Sequence, residues 1–415
     1  MLGVIADDFT GASDIASFLT ENGLKTVQMN GVPTQPLNEQ VDAIVISLKS
    51  RSNPVQQAVQ QSLQALDWLK TQGCEQFYFK YCSTFDSTAK GNIGPVTDAL
   101  LEALGETFTV ISPALPVNGR TIFNGYLFVG EQLLNESGMR NHPITPMKDA
   151  NLIRLMDAQA QGKTGLVAYA DVSQGANQVK ARLTELQQQG YRYAVVDAVD
   201  NSQLATLAEA ITDLKLVTGG SGLGAYMAAR LSGGQTGKNA FAPTSTRGKT
   251  VILSGSCSLM TNQQVEYYQQ YAASYWLDVA QTLNNPNYVE ELYQWVVKHL
   301  DDEFAPMVYA TVPAEKLAQI QQQFGAEKAS HAIEQAFAKL AQKLKDYGVT
   351  HFITAGGETS SIVVQQLGFQ GFHIGKQIAP GVPWLKAIEQ PIFLALKSGN
   401  FGCKDFFRFA QGMAV

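Results

Sequence analysis

Residues 2–14 read Leu2-Gly3-Val4-Ile5-Ala6-Asp7-Asp8-Phe9-Thr10-Gly11-Ala12-Ser13-Asp14. Five residues without a charge run straight into two adjacent carboxylates, and Thr-Gly then opens a helical pattern. An unbroken apolar run marks a strand buried on both faces, as in parallel sheets covered by helices. A polar turn at the C-terminal end of such a strand is where open α/β sheets hold ligands. The unit recurs along the chain. Strands are expected at Leu2–Ala6, Ala43–Ser47, Gln76–Tyr81, Phe108–Ile111, Leu166–Tyr169 and Tyr193–Val196. Helices are expected at Val55–Lys70, Pro95–Leu104, Asn177–Gln189 and Gln203–Leu214.

The alternation breaks at Ser232–Lys249, SGGQTGKNAFAPTSTRGK, where Gly, Ser, Thr, Asn and Pro crowd together as in a linker. A second alternation starts at Thr250–Ser254 and continues through strands at Met307–Thr311, His351–Ala355 and Ile392–Leu396 to a short C-terminal helix. An amphipathic helix over Ala326–Tyr347 reads as packing. The expected fold is α/β with two domains, 1–232 and 250–415, joined by a linker at 233–249. Each is a mostly parallel sheet flanked by helices, and the active site is expected in the interdomain cleft.

Bulk properties narrow the function. With 415 residues, 45% hydrophobic and 16% charged, the chain has material for more than one core. A formal charge of −6 argues against a general nucleic-acid binder but leaves room for a small anionic substrate held by local Lys and Arg. The N-terminus has no signal-peptide pattern, and no apolar run nears the roughly 18–20 residues that span a bilayer. Four cysteines without C-x-x-C spacing suit a reducing cytoplasm, and five scattered histidines argue against a protein-built zinc site. No nucleic-acid or membrane partner is expected. A homodimer is left open.

Familiar phosphate motifs fail. Gly-Lys-Thr occurs at Gly162 and Gly248, but Asp157 and Pro243 stand where a P-loop needs its first glycine. Gly220, Gly222 and Ala225 fit the dinucleotide pattern G-x-G-x-x-A after a strand, yet no acidic ribose partner follows about 20 residues later. Tight helix–strand packing explains that turn as well as an anion site does.

Other turns are better placed for chemistry. After Asp7-Asp8 come Ser47-Leu-Lys49-Ser50-Arg51-Ser52 and Lys80-Tyr-Cys-Ser83-Thr84-Phe-Asp86-Ser87-Thr88, both at strand ends. A fourth, Ser112-Pro113-Ala-Leu-Pro116-Val-Asn118-Gly119-Arg120-Thr121, is a Pro-bracketed loop. Their cations and hydroxyls suit a carboxylate and a polyol, Arg being favoured for bidentate carboxylate recognition. Capping of the helix by one Asp is the plainer alternative for the first turn; two exceed what a cap needs. In the second half, Ser254-Gly255-Ser256-Cys257-Ser258, Ala355-Gly356-Gly357-Glu358-Thr359-Ser360-Ser361 and Lys397-Ser398-Gly399-Asn400-Phe401-Gly402 follow strands. Small residues admit phosphates close to the backbone, and Glu358 is a candidate ligand of Mg²⁺, directly or through water.

Taken together, V-I-A-D-D-F-T-G-A, F-K-Y-C-S-T-F-D-S-T, S-P-A-L-P-V-N-G-R-T, S-G-S-C-S and T-A-G-G-E-T-S resemble the four-carbon acid sugar kinase family. The resemblance spans essentially the whole chain. It implies a sugar-acid-binding N-terminal domain, an ATP-binding C-terminal domain and phosphorylation of a terminal C4 hydroxyl. Phosphoryl transfer rests on positioning and charge neutralisation. On that basis Asp8, or Asp7 in its place, is expected to accept the hydroxyl proton. Thr10, Arg51, Lys80, Asp86, Ser87, Asn118 and Arg120 are expected on the sugar acid. Ser256, Ser258, Gly356, Gly357, Glu358, Thr359, Ser360, Gly399 and Gly402 are expected on ATP with Mg²⁺. The rivals are an NAD-dependent dehydrogenase using Gly220–Ala225 and a non-catalytic sugar-acid sensor.

Overall fold

A computed structural model describes residues 1–142, 144–236 and 248–413. The chain divides into two compact units, Met1–Ala240 and Phe241–Val415. Residues 237–247 of the expected linker lie outside the described residues.

The first unit is built on β1 (Leu2–Ala6), β2 (Thr26–Asn30), β3 (Ala43–Ser47), β4 (Gln76–Lys80) and β5 (Thr109–Ser112). A small antiparallel sheet, β6 (Arg120–Phe123), β7 (Tyr126–Val129) and β8 (Gln132–Leu133), interrupts the series. The main sheet then resumes with β9 (Thr164–Val167), β10 (Tyr193–Val196) and β11 (Leu216–Gly219). Its order is β2-β3-β1-β4-β11-β5-β10-β9, with neighbouring strands parallel. The order reverses about β1, which makes the ends of β1, β3 and β4 the natural ligand crevice. Register sharpens this: Ala6 pairs with both Ser47 and Lys80, and Gly219 with Lys80 and Ser112. The polar turns that follow these strands therefore emerge along one edge.

The helix Phe9–Glu21 is buried along most of its length because Gly11, Ala12, Ser13, Ala16 and Ser17 keep it slim. Gly224 serves the same end: a Cβ there would lie 3.0 Å from Ile15 Cδ1, so the helix Ser221–Leu231 packs tightly on it.

The second unit contains β12 (Thr250–Ser254), β13 (Ser274–Trp276), β14 (Met307–Tyr309), β15 (His351–Ala355), β16 (Gly371–Ala379), β17 (Val382–Ala387) and β18 (Phe393–Lys397). Their order is β13-β14-β12-β15-β18-β17-β16. Ser254 pairs with Ala355, and Ala355 with Lys397, so here too three turns share an edge.

Most expected elements are present, with shifted ends. The strand expected at Leu166–Tyr169 is Thr164–Val167, because Tyr169 already opens a short helix. The helix expected at Gln203–Leu214 is Asn201–Ala210, started by an Asp200–Gln203 capping box. The loop expected at 112–121 is more ordered: Pro116–Asn118 form a 3₁₀ turn, Gly119 closes it at φ +70, and Arg120 begins β6.

Candidate functional site

In the first unit the site grows from the end of β1. Asp8 leaves the strand at φ −147 and caps the helix Phe9–Glu21, accepting the Gly11 N–H at 2.9 Å, while the Thr10 hydroxyl donates to its other oxygen at 2.8 Å. Arg51 crosses from the next turn. Its Nε and Nη2 donate to the two Asp7 oxygens at 2.9 and 2.8 Å, and Nη2 also reaches Asp8 Oδ1 at 2.8 Å. Its Nη1 faces Asp86 Oδ2 at 3.8 Å. The turn that carries Arg51 is pinned from behind by Asn92, whose amide donates to the carbonyls of Ser50, Arg51 and Asn53 at 2.7, 3.2 and 2.9 Å. Asp86 is presented by a tight turn in which buried Phe85 adopts φ +60 and packs edge-on against Tyr81.

Electrostatics separate the two carboxylates. Burial outweighs Arg51 at Asp7 and holds that carboxyl above its ordinary range. At Asp8 burial is opposed by Arg51, Lys80, Thr10 and Gly11, which together hold it below. The Asp7 side chain is 6% exposed and that of Asp8 26%, so Asp8 is the one a ligand can touch.

Behind this pair lies a deeper layer. Lys80 is 2% exposed; its ammonium donates to the Tyr81 carbonyl at 2.9 Å and stands 3.8 Å from Asp14. Asp14 accepts the Ser221 hydroxyl, and its other oxygen is buried with no partner. Burial pushes its carboxyl up to about 6, against the pull of Lys80 and Ser221. Arg120 donates to the Asn118 carbonyl, while its Nε and the Asn118 side-chain amide are buried without partners.

The structure thus brings Asp7, Asp8, Thr10, Arg51, Lys80 and Asp86 together, with Asn118 and Arg120 forming a neighbouring pair. Ser87 is turned elsewhere, its hydroxyl donating to Gln159 at 2.9 Å. Asp14 and Ser221 were missed. Asp14 carried a signal, a carboxylate set among small residues in the first turns of the helix that follows β1.

The dinucleotide-like turn is packing. A Cβ at Gly219, Gly220 or Gly222 would lie 2.3, 2.6 or 2.6 Å from the carbonyl oxygen of Ser112, Pro113 or Ala114. The backbone of 112–114 occupies the space that a pyrophosphate would need against those glycines.

In the second unit the three turns converge. Gly255 and Ser256 donate from their backbones to the Ala355 carbonyl at 2.9 and 3.0 Å, and Gly356 to that of Lys397 at 2.8 Å. Gly356 takes φ +119, and a Cβ there would sit 3.1 Å from the Ser256 nitrogen. A Cβ at Gly399 would be 2.8 Å from Ser256 Oγ and 3.1 Å from Ser258 Cβ. Ser258 caps the helix Leu259–Tyr268, accepting from the Thr261 amide at 3.2 Å. Gly357, Glu358, Thr359 and Ser360 form the first turn of the helix Gly357–Leu367, with Glu358 exposed and Thr359 and Ser360 buried. Gly402 belongs to a different contact, since a Cβ there would meet the Phe406 ring at 2.6 Å.

Sequence reading passed over Lys397 at the centre of these turns. It is wholly buried, its ammonium donates to Thr261 Oγ1 and to the carbonyls of Ser398 and Gly399, and burial pushes it down to about 7. No group of three or more His, Cys, Asp or Glu able to hold a metal occurs among the described residues. No helix among them is long and apolar enough to cross a membrane.

Comparison with known proteins identifies the family of the chain. Residues 2–227 match the sugar-binding N-terminal domain family and residues 251–407 the nucleotide-binding C-terminal domain family. A protein of Actinobacillus succinogenes named 3-oxo-tetronate kinase is 78% identical over 415 residues, 100% of both chains. One of the same name from Haemophilus influenzae is 77% identical over 413 residues, again 100% of both. The crystal structure of the Haemophilus influenzae protein HI1011, 76% identical, superposes with a TM-score of 0.83 and covers all of both chains. The chain belongs to the family that joins a sugar-binding N-terminal domain to a nucleotide-binding C-terminal domain, the family of these 3-oxo-tetronate kinases.

Proposed function

We propose that this chain is an ATP-dependent cytoplasmic kinase that phosphorylates the C4 hydroxyl of a 3-oxo-tetronate, giving the 4-phosphate and ADP. The observation that carries the reading is the 78% identity, running the full length of both chains, to a protein named 3-oxo-tetronate kinase. Threonate or erythronate, phosphorylated at the same carbon, is the nearest variation. A homodimer is part of the same reading, and light scattering tests it.

In this reading the sugar acid binds at the ends of β1, β3 and β4. Asp8, the more exposed of the acidic pair, orients the C4 hydroxyl and accepts its proton as that oxygen attacks phosphorus. Asp7 stays behind it and fixes Arg51, whose Nη1 is the arm directed away from both carboxylates. Thr10 and Asp86 border the same polar mouth. Asn118 and Arg120 supply donors for the acid's oxygens: their buried unpartnered N–H groups cost about 1–3 kcal/mol each unless a ligand or water completes them. Lys80 is too deep to grip substrate first and acts as the charge that steadies Asp8 and Asp14. Ser87 holds the turn through Gln159.

ATP is assigned to the turns at Ser256–Ser258, Gly356–Ser360 and Gly399–Gly402. Their glycines let the three turns pack against one another, Gly356 and Gly399 both closing on Ser256, and the backbone and hydroxyl groups gathered there suit phosphate. The residues fit Mg²⁺ arriving on the nucleotide rather than a cage built by the chain, with Glu358 placed to hold it directly or through water. Bound there, Mg²⁺ would neutralise charge on the phosphates.

The experiment is a coupled ADP-release assay with Mg-ATP against 3-oxo-tetronates, threonate and erythronate. Turnover on 3-oxo-tetronates is expected to dominate. Preferred turnover on threonate or erythronate would move the specificity, and silence across the panel from folded, ATP-binding protein would sink the acid-sugar assignment.

A further inference from the structure

Lys397 ends β18, and its environment is unusual for a lysine. The residue is wholly buried, and three acceptors surround its ammonium: Thr261 Oγ1 at 3.0 Å, the Ser398 carbonyl at 3.0 Å and the Gly399 carbonyl at 2.7 Å. Three N–H donors meet three oxygens, so the ammonium is fully satisfied without any ligand. The Gly399 carbonyl is held a second time by the Thr261 hydroxyl at 2.7 Å, and Ser258 Oγ donates to that hydroxyl at 3.0 Å. Lys397 is therefore tied through Thr261 to the capping serine of the helix Leu259–Tyr268.

Peptide planarity extends the consequence outward. In a trans peptide the C=O and the following N–H point in opposite directions, and no peptide here is cis. With the carbonyls of Ser398 and Gly399 drawn inward to the ammonium, the N–H groups of Gly399 and Asn400 point away from it. Neither has an acceptor among the described residues, and Asn400 is exposed. Successive backbone N–H groups turned the same way form an anion-binding nest.

We propose that Lys397 is a positioning residue of the nucleotide site. It touches no ligand, but by holding two carbonyls inward it aims the Gly399 and Asn400 amides at a phosphate of the nucleotide. The inference rests on the reading of these turns as the ATP site.

The test is calorimetric binding of Mg-ADP to the full chain, alongside thermal unfolding and the KM values for ATP and the sugar acid. Asn400→Pro deletes one outward N–H and Asn400→Ala keeps it. Proline is expected to weaken ADP binding tenfold or more, and alanine to leave it within twofold. Lys397→Met is expected to weaken ADP at least tenfold and to raise KM for ATP, with KM for the acid unchanged. If that variant does not fold, Thr261→Val loosens the same carbonyl and is expected to cost severalfold. A merely structural lysine would lower the melting temperature without separating the two KM values. Wild-type protein that binds ADP while Asn400→Pro and Thr261→Val match it overturns the proposal and leaves the nucleotide reading standing. Wild-type protein that binds no ADP removes both.

Discussion

Arg51 grips Asp7 with two parallel hydrogen bonds, Nε to Oδ2 at 2.9 Å and Nη2 to Oδ1 at 2.8 Å, and the carboxylate it grips is 6% exposed. Removing one partner of a buried pair strands the other charge and costs about 3–5 kcal/mol. Arg51→Met should lower stability by roughly that amount, discounted because Arg51 is 24% exposed. Adding Asp7→Asn should restore part of it. Denaturant unfolding of the two single variants and the double variant checks this, and purely additive losses would mean that the pair is not coupled.

Asp8 has two jobs that one substitution can separate. Asparagine caps helices about as well as aspartate but is a far poorer proton acceptor. Asp8→Asn should therefore keep the melting temperature within a few degrees and ADP affinity nearly intact, while kcat falls by orders of magnitude. Activity within a few-fold of wild type would move the base elsewhere.

Asp14 makes a pH prediction. It is faced by Lys80, Ser221, Asp8 and Arg120, and burial raises its carboxyl from 3.8 to about 6. A native state that binds the proton more tightly than the unfolded one gains stability that is full below the unfolded value and lost as pH rises through the folded one. The unfolding free energy of Asp14→Asn relative to wild type should thus move in the variant's favour between pH 4 and 7, by about 2–3 kcal/mol. A flat difference across that range would show an ordinary carboxyl.

Gly222 separates packing from cofactor binding. A Cβ there would lie 2.6 Å from the Ala114 oxygen and 2.9 Å from Leu204 Cδ1, whereas Gly138 has nothing within 4 Å. Gly222→Ala should destabilise by about 2 kcal/mol or more, and Gly138→Ala by less than about 0.5 kcal/mol. Thermal unfolding reads both. Added NAD should shift neither wild type nor variant.

Glu358 stands exposed in the first turn of its helix. Glu358→Gln should raise the Mg²⁺ concentration for half-maximal activity several-fold and leave KM for the sugar acid unchanged. An unaltered Mg²⁺ titration would remove Glu358 from the metal's surroundings.

The parallel strands were legible because each is a short apolar run ending in a polar turn, and β1, β3, β10, β12 and β15 fall where that pattern puts them. The pattern fails where neighbours decide. Thr26–Asn30 carries polar Thr26, Gln28 and Asn30 yet is strand β2, because pairing with β3 settles it. The hairpin of β16 and β17 is antiparallel and joined by a tight turn, so it lacks the intervening helix that announced the other strands. At the site, the turns were legible as clusters of hydroxyls, glycines and charges. Which charge meets which was not: Arg51 serves Asp7 and Asp8 before any substrate, a pairing set by the Ala6–Ser47 register across 44 positions of sequence. Lys397 was passed over because nothing in its local sequence says that the strand end carrying it is wholly buried.

The backbone of Asp7 laces the site together. Its N–H donates to the Lys80 carbonyl at 3.0 Å, and its own carbonyl accepts from Ser50 and Arg51 at 2.9 and 3.1 Å. The backbone of one residue thus belongs to all three loops of the crevice. Anyone re-aiming this chain at a differently shaped acid should treat those loops as a single exchangeable cassette, grafted whole from one relative. Trading them one at a time would splice loops that had never shared a common hinge.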